Sequence, residues 1–104
     1  MKKPLVLDAE ARAEIKSAES SYEEQREALG RRFHDAVLAS LAQIEEFPGA
    51  AALLAPCAGH VIRAARVWRF PYRIVYAELP EEFRILALAH TSRRPGYWRD
   101  RVPP

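Results

Sequence analysis

The sequence predicts an α+β domain: an N-terminal short strand and an antiparallel helical hairpin packed on a mainly antiparallel three- to four-stranded sheet. Three observations predict it. In the first half, apolar residues recur at three- and four-residue spacing, the pattern of one-sided helices. In the second half, short runs rich in β-branched and aromatic residues replace that period, with turn residues between them. The connections are short, so each element folds back beside the last. Two one-sided helices cannot bury their stripes alone, and the sheet supplies the missing surface.

Pro4-Leu5-Val6-Leu7 reads as the first strand, and Asp8 as the N-cap of a helix running from about Ala9 to Ala28. Ala11, Ile15, Ala18 and Tyr22 form its narrow apolar face, and the rest of its surface is polar. Gly30 breaks the pattern as a C-terminal glycine. The second helix carries a longer stripe of Phe33, Ala36, Val37, Ser40, Leu41, Ile44 and Phe47, ended by Pro48-Gly49. The hairpin thus covers about residues 9–47. Gly49–Gly59 reads as a connector with Leu53 and Leu54 tucked beneath it.

The sheet covers about residues 60–90. Its strands are His60–Phe70, Tyr72–Ala77 and Phe83–His90, the last two joined by Leu79-Pro80-Glu81-Glu82. Neither face of the first is purely apolar, so its sidedness stays open. In the last strand, simple alternation places Phe83, Ile85, Ala87 and Ala89 on one face and Arg84, Leu86, Leu88 and His90 on the other. A basic, aromatic tail follows over residues 91–104.

With 104 residues, the chain is one domain with one modest core. No apolar run is long enough to span a bilayer. The first five residues lack the apolar core of a signal peptide, so a cytoplasmic protein without membrane contact is expected. Cys57 is the one cysteine, which excludes an internal disulfide and a thiolate metal cluster. His34, His60 and His90 are far apart, and no glycine-rich phosphate loop or nucleophile elbow is present, so neither metal nor cofactor is expected. Glu23-Glu24 and Glu45-Glu46 read as solvated helix faces.

The net charge is only +2, but Arg63–Arg101 holds nine arginines against four acids. That asymmetry suits a polyanion or an acidic partner, or is simply a solvated sheet face. The candidate binding set is Arg63, Arg66, Arg73, His90, Arg93, Arg94, Tyr97 and Trp98. Arginines can grip phosphate or carboxylate in bidentate fashion, and Tyr or His can move protons.

Several words of this sequence resemble the RelE/ParE superfamily of toxins from type II toxin–antitoxin pairs, also described as plasmid stabilisation proteins. They are Ala11…Ile15…Tyr22, Phe33…Leu41…Ile44…Phe47-Pro48, Val67…Tyr72-Arg73-Ile74-Val75-Tyr76 and Ile85-Leu86…His90…Arg93-Arg94-Pro95. The resemblance spans residues 8–94. It implies growth arrest, a cognate antitoxin encoded alongside, and a hetero-oligomer with it. RelE-like members cut mRNA on the ribosome. Carried over singly, their set falls on Arg66, Arg73 and Tyr97, with Arg93 as a substitute. A second basic position falls on Ala64, and a C-terminal partner position falls on Thr91. ParE-like members lack that set and inhibit DNA gyrase by binding. The broken nuclease set makes a ParE-like gyrase inhibitor the expectation. A ribosome-dependent endoribonuclease and a non-toxic protein-binding domain are the alternatives.

Overall fold

The computed structural model describes residues 3–104. Its elements are β1 (Leu5–Leu7), α1 (Ala9–Gln25), α2 (Leu29–Glu46), β2 (Ala52–Cys57), β3 (His60–Arg66), β4 (Tyr72–Glu78), β5 (Phe83–His90) and a 3-10 turn at Arg99–Arg101. The five strands lie in the order β1-β5-β4-β3-β2. β1 runs parallel to β5, and the other pairs are antiparallel. The α+β class is as expected. The sheet has five strands rather than three or four because the 49–59 connector forms β2, an edge strand on β3. Leu54 half-buries there, but Leu53 is 65% exposed, so only one of the two leucines tucks in.

Asp8 caps α1 as predicted, its carboxylate accepting the Glu10 N–H at 2.9 Å. The helix stops at Gln25, three residues before the expected end. Ala28 takes a left-handed backbone (φ 70°) and starts α2 without a side-chain cap of its own. Glu23 supplies the missing acceptor. Its two carboxylate oxygens take the N–H groups of Ala28 (3.0 Å) and Gly30 (2.9 Å). Glu23 is therefore a capping group rather than a merely solvated acid.

Gly30 lies inside α2, not at the end of α1. A Cβ there would stand 2.6 Å from the Glu19 carbonyl oxygen and 2.9 Å from the Glu23 carboxylate. The backbone of α1 cannot yield, so Gly30 sets how closely the helices approach. We expect Gly30→Ala to lower stability by about 1–2 kcal/mol in chemical denaturation, overpacking outweighing the gain in helix propensity. A stabilised variant would contradict this.

The sheet has a core on each side. On the inner side, Ala11, Ala18, Phe33, Val37 and Ile44 of the helices pack on Ile74, Tyr76, Phe83, Ile85 and Leu88. On the outer side, Ile62, Ala64, Val75, Ala77, Leu86, Ala87 and Ala89 are covered by Trp98 and Val102 of the tail. This settles the sidedness of β3: Ile62 and Ala64 face outward, while Ala65 packs inward. It also corrects β5. The register shifts where Val75 opposes Ala87 and Tyr76 opposes Ile85. That β-bulge puts Leu86 and Ala87 on the same side, so Phe83, Ile85 and Leu88 face the helices and Leu86, Ala87 and Ala89 face the tail. Phe47, counted in the α2 stripe, is 56% exposed, because the helix ends at Glu46 before the stripe reaches it.

Candidate functional site

Two hollows flank the sheet. One is a groove of about 620 Å³ between α2 and the β2–β3 edge. Its walls are mostly small and apolar, including Ala36, Ala39, Ile44, Ala52 and Ala65, and its rims carry Phe47 and Trp68. Trp68 is 72% exposed beside Arg69, a non-glycine residue at φ 70°. β3 ends at Arg66 rather than Phe70, so this indole sits on the β3–β4 turn and not on a strand. The other hollow is a cleft of about 300 Å³ between the outer sheet face and the tail.

The cleft gathers Arg73, His90, Arg93, Arg94, Tyr97 and Trp98 from the sequence-predicted set and adds Arg99. Arg66 and Arg73 face each other across the β3–β4 ladder, but Arg66 lies on the groove instead. Arg63 is elsewhere. It sits opposite Tyr76 on the inner register and donates to the Ala51 carbonyl at 2.8 Å, tying down the chain between α2 and β2. Trp98 is 5% exposed, its ring sunk into the outer core. It walls the cleft with little of its surface exposed.

Tyr97 is held from α1. Its hydroxyl donates to a Glu14 carboxylate oxygen at 2.8 Å, with the Leu88 carbonyl at 3.3 Å. The same carboxylate accepts the Leu88 N–H (3.1 Å) and both terminal nitrogens of Arg101 (2.9 and 3.1 Å). Arg101 also donates to the Leu86 carbonyl at 2.9 Å and pairs with Glu10 at 3.0 Å. β1 pairs only with Phe83–Ile85. Glu14 and Arg101 thus satisfy β5 backbone groups beyond the end of that pairing. Arg93 stacks on the Tyr97 ring with its guanidinium carbon 4.0 Å from the ring centre.

Sequence reading missed Glu14 and Arg101. The signal was present: Ala11, Glu14 and Ala18 share one helix face at three- and four-residue spacing, so a carboxylate interrupts a buried stripe.

The family model described as the ParE toxin of a type II toxin–antitoxin system, parDE, matches residues 5–95. The chain belongs to this family. Among solved structures, it is similar to one from the chromosomal ParDE system of P. aeruginosa. The TM-score is 0.63 at 16% identity, covering 86% of this chain and 96% of that one, a likeness in fold. No curated protein matches significantly in sequence. No helix of the described residues is long and apolar enough to cross a membrane. Among the same residues, no group of three or more His, Cys, Asp or Glu could hold a metal ion.

In this ParE-family chain, two of the positions at which the resemblance expects nuclease groups hold Ala64 and Thr91. Ala64 is buried in the outer core, and Thr91 is exposed, with its N–H on the Pro71 carbonyl. Burial, reinforced by the Glu14 hydrogen bond, pushes the Tyr97 hydroxyl up to about 12. A phenol held neutral as a donor to a carboxylate is poorly suited to accept a proton near neutral pH.

Tyr22, Tyr72 and Tyr76 are also raised, in each case chiefly by burial. The linkage sign follows. Between pH 10 and about 12 the unfolded phenols have lost protons that the folded ones keep, so folding weakens as pH rises. We expect urea midpoints to fall progressively above pH 10. In the folded protein, the tyrosinate absorbance near 295 nm should appear later than in urea. Identical titrations in the two states would contradict this.

Proposed function

We propose that the chain is the toxin of a type II toxin–antitoxin pair, acting on DNA gyrase by binding and neutralised by a cognate antitoxin. The carrying observation is the tying of Tyr97 to Glu14 in a chain of the ParE family, which favours binding over RNA cleavage. Gyrase is the target that the ParE-like resemblance implies. Purified protein should inhibit gyrase supercoiling. Untouched supercoiling in the presence of protein that still arrests growth would sink the gyrase assignment. The endoribonuclease reading then returns, and primer extension on translated mRNA with Arg73→Ala tests it.

The antitoxin partner is assigned an amphipathic segment with acidic residues. Its apolar side fits the α2–β3 groove, where small side chains allow close approach and Phe47 and Trp68 stand as exposed anchors. Its acids meet Arg66 and the cleft arginines, continuing toward the tail. We expect Phe47→Ala with Trp68→Ala to weaken the antitoxin complex at least about 30-fold by titration calorimetry. Undiminished affinity would place the antitoxin elsewhere. A chain that causes no growth defect on induction without its neighbouring gene would be a binding domain only.

A further inference from the structure

Beyond the acids that an antitoxin would bring to it, the C-terminal cleft has an unbalanced charge of its own. Arg73, Arg93, Arg94 and Arg99 line it, and none of its lining residues is acidic. None of these four guanidinium groups has a carboxylate partner within 4.0 Å among the described residues. Converging cations without counterions repel one another, an arrangement relieved by a bound anion.

The groups are also partly preorganised. The Arg93 guanidinium sits over the Tyr97 ring, its carbon 4.0 Å from the ring centre, and that ring is fixed by Glu14. Arg99 donates to the Pro56 carbonyl at 3.1 Å, which holds the far wall against β2. The Nδ1 atom of His90 accepts the Ser92 N–H at 3.0 Å. Its ring packs edge-on against Tyr72 of the inner cluster, 5.0 Å between centres, so the anion-binding set rests on the four arginines.

We propose that this cleft is a binding site for a phosphate group carried by a nucleotide, free or at the end of a strand. Charge decides between phosphate and carboxylate. A single carboxylate offers one charge and two oxygens to four guanidinium groups, whereas a terminal phosphate offers nearly two charges and three acceptor oxygens. Volume sets the size class. About 300 Å³ lies at the small end of ligand pockets and leaves room for little beyond one nucleotide unit. Leu54, Ala55 and Pro95 also line the cleft, and these uncharged residues can take the less polar part of the ligand.

The experiment uses the full chain carrying Trp68→Phe, which leaves Trp98, in the cleft wall, as the one indole. Its fluorescence is followed at fixed ionic strength against inorganic phosphate, a nucleoside monophosphate, a short 5′-phosphorylated single strand, the same strand without that phosphate, and a polyglutamate peptide. Saturable binding of the monophosphate or the phosphorylated strand is expected, weakened at least about tenfold by Arg73→Ala with Arg94→Ala. Both arginines are exposed, so the variant keeps its core, and its thermal midpoint checks this. Arg32→Ala on α2 removes one charge away from the cleft and should leave affinity unchanged.

The stronger of the monophosphate and the phosphorylated strand identifies the source of the phosphate. Three results would overturn the proposal: polyglutamate binding as tightly as either, equal affinity for the two strands with no binding of the monophosphate, or retained affinity in the double variant. None of them bears on gyrase inhibition, which is read separately.

Discussion

Glu14→Ala is expected to lower stability by about 3 kcal/mol, the lower end of the cost of removing one partner from a buried charge pair, because this hydrogen-bonded pair is partly buried. Arg101 is 11% exposed at its side chain, and it would keep its charge there while losing its bidentate acceptor. The Leu88 N–H and the Tyr97 hydroxyl would each lose an acceptor in the same step. Glu14→Gln, which keeps one oxygen and the shape, should cost less. Tyr97→Phe, which removes only one hydrogen bond, should cost about 1 kcal/mol. The loss should concentrate in the tail, because the network joins residues 97 and 101 to α1 and the exposed edge of β5. Hydrogen exchange is the decisive measurement. Tail and Leu88 amides should exchange faster in Glu14→Ala, and protection equal to that of the parent would refute the assignment.

Phe33→Ala should destabilise by about 3–5 kcal/mol, within the range for emptying a fully buried aromatic site. Phe33 has no exposed surface. Its ring centre lies 5.0 Å from those of Tyr22 and Phe70 and 5.3 Å from that of Tyr72, and Tyr72 in turn meets His90 at 5.0 Å. One of these four contacts is tilted and three are edge-on, a favourable geometry for aromatic pairs. One ring therefore joins both helices, the β3–β4 turn and the start of β4. Domains of this size have about 5–15 kcal/mol in all, so the variant should melt at least about 12 °C lower by calorimetry. Phe70→Ala, at the half-buried margin of the cluster, should cost less. Equal losses at the two positions would show that the cluster has no centre.

Much of the architecture could be read from residue spacing. The stripes at Ala11–Tyr22 and Phe33–Ile44 are both buried where the period placed them, and the Tyr72–Tyr76 and Phe83–His90 runs are strands. The misreadings share one cause: local pattern carries no information about partners. Ala52–Cys57 has no β-branched residue and contains Pro56, so its own sequence argues against a strand. It is one because β3 offers an unpaired edge. Gly30 looked like a helix end because the same residue type serves close helix packing.

The candidate site was legible in composition and not in geometry. Arg73, His90, Arg93, Arg94 and Tyr97 do converge on one cleft, whereas Arg63 points to the helix side and Trp98 is a core residue. Alternation parted Arg63 from Arg66 on β3 without saying which face was outer, it does not reach the tail that carries Trp98, and on β5 the bulge reverses it between Ile85 and Ala87.

By itself, the sequence determined the fold class, the helical hairpin, the central strands and an arginine-rich C-terminal half, since each follows from period, propensity or count over neighbouring residues. The tertiary structure decided that the outer sheet face is closed by the tail and that an acid from α1 fastens it. It also decided that Phe47 and Trp68 stand exposed on a groove. Those outcomes depend on residues far apart in the chain, such as Glu14 and Arg101, whose hydrogen bonds exist only once the sheet edge between them has formed.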